Sequence, residues 1–147
     1  MATRLHDTDV RTAIMARVGA LQPTAKGRWG KMTVDQMLWH VNEALAHAVG
    51  EGDIANVKPP IPRKLIKFLV LHLPWTKNAP TNPRFVAKAT HDFEAEKTRC
   101  LRLIDALANR TIDGVWMDHP TFGPMIGEEV SRLQAKHLDH HLQQFGA

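Results

Sequence analysis

The segment KHLDHHLQQFGA, from Lys136 to Ala147, places His137, His140 and His141 within five positions. Imidazole binds divalent metals when neutral and titrates near neutrality, so such a cluster reads as ligands, as a pH-responsive surface, or as an accident of composition. Accident is weighed first: 9 histidines in 147 residues give roughly half of one His-x-x-x-His pair by chance. Setting is what distinguishes His137 and His141. Four residues apart on a helix, they lie one above the other on a single face. That face continues through Val130, Leu133 and Gln144, beside an apolar stripe of Leu138, Leu142 and Phe145. The pair therefore borders the core, whereas His140 points to the side and Asp139 faces away.

A second helical stripe supplies His40, between Met37 and Ala44 in MTVDQMLWHVNEALAHAVG. A buried imidazole loses its hydration and needs partners; alone it reads as a hydrogen-bonded core residue. Together with a four-spaced pair on another helix it reads as a ligand, because bundle cores build metal sites from facing helices. Three imidazoles with one open position are a known catalytic zinc arrangement. The zincin pattern is disfavoured, since Leu138 stands where that motif carries its glutamate and no general base is placed for water attack. Glu43, one turn beyond His40, is the candidate catalytic acid or base, against the plainer reading of a solvated helix charge. His119, His140 and His47 are candidate pocket residues; His119 is placed at the site mouth or as a cap for the last helix. His6, His72 and His91 read as surface or packing residues, and Trp29, Trp39, Trp75 and Trp116 as core and loop packing, with a substrate-pocket role for Trp29 or Trp116 as the lesser reading.

The elements that must position these groups are helical. Alternating β-branched runs are absent, and apolar residues recur at three- and four-residue spacing. The spacing predicts a first helix from Asp7 or Thr8 to about Leu21, along Val10, Ile14, Val18 and Leu21. A second starts at the capping box of Thr33 and Gln36 and stops near Gly50. Between Glu51 and Pro83, six of the nine prolines mark a long connection holding a short helix over Arg63 to His72. Asn82 and Pro83 predict the start of a third main helix reaching Asn109, with Val86, Phe93, Cys100 and Leu107 as a seven-residue seam. DGVWMDHPTFGPMIG reads as a loop, and a last helix runs from Gly127 or Glu128 to about Phe145, its first-turn Glu128 and Glu129 favouring the dipole. The expected fold is all-α, one domain over residues 1–147: a four-helix bundle with a long connection, carrying the extra helix, between helices 2 and 3.

Composition limits the function classes. One cysteine, Cys100, excludes an internal disulfide and a cysteine-based zinc module. No apolar run reaches the roughly 20 residues of a membrane span, and the start lacks a secretory h-region. A soluble, cytoplasmic protein is expected. The formal charge is +4, but Lys and Arg are dispersed; no basic stripe or reading motif points to nucleic acid, and no short turn between helices fits a helix-turn-helix.

RWGKMTVDQMLWHV, HPTFGPM and KHLDHHLQQFG, in that order and spacing, resemble the DinB/YfiT-like superfamily of small, mostly uncharacterised bacterial proteins, over about Thr8 to Gly146. Relatives often carry Trp where Val130 follows the paired glutamates here. The resemblance implies an up-down-down-up four-helix bundle, often a homodimer, binding a divalent metal such as zinc or nickel. Its triad of one histidine on the second helix and two on the last falls on His40, His137 and His141, the three already reached from facing and spacing. It also implies a small-molecule substrate. Some members resemble metal-dependent transferases of low-molecular-weight thiols, and others hydrolases or isomerases. An open coordination position either holds a thiol as thiolate or activates water. The competing class is a non-catalytic small-ligand or stress-response module with the metal absent or structural. Protons should compete for the ligands below roughly pH 6, near the free imidazole value.

Overall fold

Thr33, Asp92 and the pair Glu128 and Glu129 decide where three of the helices begin. The computed structural model describes residues 3–52, 61–77, 86–119 and 121–147. Helix α1 spans Thr8–Ala20 and buries Ile14 and Val18. Helix α2, Val34–Ala48, starts where the Thr33 backbone N–H donates to Gln36 Oε1 at 3.1 Å, satisfying a donor that the first turn leaves over. It ends before Gly50, whose φ of +81° suits a residue without a Cβ. Helix α3 spans Arg63–His72, the range expected, and stops ahead of Pro74. Helix α4 spans Phe93–Ala108, β1 Val115–His119, β2 Gly123–Ile126, and helix α5 Gly127–Gln144.

Two expectations are corrected. The third main helix does not run from Pro83: residues 86–92 are non-helical, and the helix starts where Asp92 accepts the Ala95 N–H at 2.9 Å. Asp92 with Glu94 and Glu96 is the stronger start, because it adds negative charge to the positive end of the dipole. Val86 accordingly leaves the seven-residue seam and is exposed, whereas Cys100 and Leu107 are buried. Asn82 and Pro83 lie outside the described residues. The second correction concerns the all-α class. The protein is mostly helical, but Val115–His119 and Gly123–Ile126 pair as an antiparallel hairpin, with Met117 opposite Met125 and His119 opposite Gly123. Gly123, at φ +72°, closes its turn. Three glycines and two prolines in 15 residues carry no strand signal; Met125, fully buried, anchors the ribbon against the helices.

Helix α2 packs on α4 and α5, and α1 on the same two. Leu38 and Leu45 of α2, Leu103, Ile104 and Leu107 of α4, and Leu138 and Leu142 of α5 are all at most 2 % exposed. Each such side chain contributes about 1.5–3 kcal/mol by burial, so this core fixes how α2 and α5 face each other. Helix α3 has no buried residue; it is pinned to α5 by polar contacts. Lys136 Nζ donates to Val70 O at 2.7 Å and also to Leu73 O, satisfying carbonyls at the end of α3, and Lys67 pairs with Glu129 at 3.1 Å. At the base of the hairpin, Gly127 N–H donates to Gly114 O at 3.0 Å. A Cβ on Gly127 would run into Ile112 O and lie 2.5 Å from Trp116 Nε1. Only glycine lets α5 begin so close to the ribbon. Among the described residues no helix is long and apolar enough to cross a membrane.

Candidate metal centre

The shared core turns one face of α2 toward one face of α5, and three imidazoles meet there. One ligand atom from each of His40, His137 and His141 lies within 4.8 Å of the others. The ring centroids are 4.7–4.8 Å apart in all three pairs, each edge to face. His40 Nε2 and His137 Nε2 are 2.9 Å apart. Two bare nitrogens would repel at that distance, so one ring carries the proton and donates to the other. Zn–N bonds of about 2.0–2.1 Å at tetrahedral angles put ligand nitrogens about 3.3 Å apart. For the His40–His137 pair that is a change of a few tenths of an ångström from 2.9 Å, while the set as a whole, spread over up to 4.8 Å, would close further around a cation. The donor set fits zinc or another borderline divalent metal.

The protonation of His141 follows from its neighbours. Gln144 Nε2 donates to Trp29 O at 2.8 Å, which turns Gln144 Oε1 toward His141. His141 Nδ1, 2.7 Å from that oxygen, must then carry the hydrogen, leaving Nε2 as a lone pair. Such an outer partner orients a ligand ring and fixes its tautomer. Burial holds the two α5 imidazoles neutral. It pushes His141 down to about 3, assisted by His40 and opposed by the Gln144 bond. His137 lies well below the ordinary histidine value, again chiefly by burial and then by His141 and His40. The His137 and His141 rings of the folded chain therefore stay unprotonated well below the ordinary histidine range.

The centre lines a cavity of about 680 Å³. Its wall is mostly apolar, from Met32, Ile66, Leu69, Val70, Leu73, Trp75, Phe122 and Leu133, with Trp29 and Gln134 also on it. Trp75 stands 5.8 Å from the His137 ring and 5.5 Å from that of His140, and its Nε1–H donates to Val70 O at 2.8 Å. The pinned helix α3 and the segment after it therefore cover the site.

Of the remaining sequence candidates, His140 and His119 line this cavity. His140 is half-buried between Trp29 and Trp75, at ring distances of 5.7 and 5.5 Å. His119, at the end of β1, accepts the Thr121 and Phe122 N–H groups at 3.0 and 3.2 Å; it caps the hairpin turn, not α5. His47 is not on the wall; its ring lies 6.3 Å from that of His119. The Glu43 carboxylate holds Arg99 at 2.9 Å on the α4 side of α2, and Glu43 does not line this cavity. The thiol of Cys100, buried and pushed up to about 12 by desolvation, is inert. Trp75 and Gln144 also belong to the site, beyond the residues that spacing marks. Gln144 had a signal, three residues after His141 on the ligand face; Trp75 had none.

No curated protein and no solved structure matches the chain. The profile of a family described as "Protein of unknown function (DUF1569)" matches residues 57–147, a span that includes His119, His137 and His141 but not His40. Because the match covers more than half of the 147 residues, the chain belongs to the DUF1569 family.

Proposed function

We propose that the protein is a divalent-metal-binding member of the DinB-like group of four-helix bundles, holding zinc or nickel through His40, His137 and His141. It would act on a small molecule at the open fourth position, as a metal-dependent thiol S-transferase or a hydrolase. The observation that carries this reading is the convergence of three imidazoles within 4.8 Å at an apolar cavity. Side chains are brought to one point from two separate helices, and the two from α5, held uncharged by burial, are already in the state that ligation needs. A divalent cation held there would supply Lewis acidity and lower the pKa of a water or thiol at the vacant position. The chain's own residues do the rest: Gln144 orients His141, Trp75 and helix α3 limit access of water, and the apolar wall selects uncharged or aromatic substrates. A thiol, if used, comes from outside, because Cys100 is buried in the core.

A second reading, a non-catalytic binding module, is favoured by one observation: the carboxylate one turn beyond His40, Glu43, is engaged by Arg99. Elemental analysis of untagged protein purified without added metal tests the first reading. About one zinc or nickel per chain, lost in His137→Ala, supports it; no metal in the native protein and none taken up on titration rejects it. Turnover of thiol adducts or esters by the loaded protein then separates the enzyme from the module.

A further inference from the structure

We infer that His119 is a fixed hydrogen-bond donor to the acceptor atom of whatever molecule occupies the cavity beside the triad, and that it is not a fourth ligand. The inference deepens the metal-site reading and rests on it. His119 is only 9 % exposed and lines the same cavity as His40, His137 and His141. Its Nδ1 receives two backbone N–H groups, from Thr121 at 3.0 Å and Phe122 at 3.2 Å. A nitrogen that accepts cannot carry the hydrogen, so in the neutral ring the hydrogen sits on Nε2. The hairpin turn thus sets the tautomer through the backbone. Parallel stacking on Phe122, with centroids 4.3 Å apart and planes 19° apart, holds the ring in place.

Nε2–H has no hydrogen-bond partner among the described residues. His47 is the nearest polar ring at 6.3 Å, and no hydrogen bond joins the two, although His47 Nε2 is itself buried and unsatisfied. Burial, with His47 and Arg63 adding, lowers His119 to about 3, so the ring is not an acid at neutral pH. A neutral imidazole aimed at an oxygen stabilises negative charge developing there without giving up its proton. A lone pair for a metal is unavailable on either nitrogen: one is bonded to the turn and the other is protonated. The class of molecule implied carries a carbonyl or other uncharged oxygen acceptor that reaches His119 from within the cavity the triad lines.

The test uses two variants. His119→Asn keeps an oxygen where Nδ1 stands, able to accept from Thr121 and Phe122 as an Asx turn does, but ends before Nε2. His119→Phe keeps the ring and its stacking and removes both nitrogens. Histidine-selective 15N spectra of the wild type, metal-free and zinc-loaded, should show His119 with hydrogen on Nε2 in both states. Elemental analysis should show zinc uptake unchanged in His119→Asn. Acetohydroxamate, an oxygen-donor probe for a metal with a vacant position, should bind the zinc-loaded His119→Asn protein about 5- to 10-fold more weakly than wild type, the effect of one neutral hydrogen bond. Hydrogen on Nδ1, loss of the Nε2 hydrogen on zinc addition, or equal probe affinity in the two proteins overturns the inference. If the wild type takes up zinc and the His119→Asn variant does not, only this inference falls; if the wild type takes up none, the metal reading falls and takes it along. Should His119→Phe alone lose stability, the turn-capping role of Nδ1 is confirmed and the His119→Asn result decides the donor.

Discussion

Two sides of helix α2 carry polar groups, and they treat them in opposite ways. Toward α4, Glu43 meets the guanidinium of Arg99 at 2.9 Å, Arg99 also meets Glu96 at 3.3 Å, and the Asn42 amide donates to Glu96 O and Oε2, both at 2.8 Å. Toward α5, His40 meets His137 at 2.9 Å and packs edge to face on His141. The first seam pairs opposite charges that complete one another and stays about 31 % exposed at the Glu43–Arg99 pair. The second gathers like groups whose ligand atoms converge within 4.8 Å, the arrangement that the proposed cation would satisfy. Complementary partners make a fastener, and convergent ones make a site. Glu43 and His40, three residues apart, belong to different interfaces for this reason.

Breaking the second seam should have the largest effect. His137→Ala should abolish stoichiometric zinc uptake in elemental analysis, whereas Glu43→Gln should leave it intact; metal loss in the Glu43 variant would erase the distinction between the two sides. Next, Gln144→Ala removes the oxygen that orients His141 and should weaken zinc binding by about 10- to 100-fold in competition with a chelator. Unchanged affinity would mean that packing alone sets the ring.

Acid provides a third contrast. His119 and His141 fall to about 3 in the folded protein, against about 6.5 when unfolded. Between those values the unfolded chain binds more protons, so the metal-free protein loses stability as pH falls from 6.5 and has lost the full increment by about 3. At pH 5 each of the two histidines costs about 2 kcal/mol relative to pH 7. Urea midpoints of metal-free protein at pH 7 and pH 5 should show that loss, and zinc should offset part of it by binding only the folded state; coincident midpoints would contradict neutral burial of these rings. The smallest effect is expected from Glu43→Ala. A partly exposed ion pair contributes about 0.2–1 kcal/mol, and a thermal shift of that size, with metal binding preserved, would confirm that the α4 side is structural.

Much of this arrangement is legible residue by residue. The capping box at Thr33, the proline after α3 and the glutamates opening α5 set helix limits through local hydrogen bonding, which depends on neighbours a few positions away. Helical spacing put His137 above His141 and placed His40 on a buried stripe. The hairpin was not legible, because its glycines and prolines suppress the alternation that marks strands, and its stability comes from Met125 packing on remote helices. The start of α4 was misplaced because Asn82 and Pro83 offer the local chemistry of a helix start, and sequence alone does not rank that signal against Asp92.

By itself, the sequence determined a predominantly helical chain with three histidines bordering its core, since periodicity and capping are properties of adjacent residues. Only the tertiary structure decided that His40 meets the α5 pair while Glu43 meets Arg99, that Gln144 and Trp75 serve the same site, and which nitrogen of His119 carries hydrogen. Those outcomes depend on which helix faces which. Packing of Leu38, Leu45, Leu138 and Leu142 sets that facing, and it is a property of the whole core.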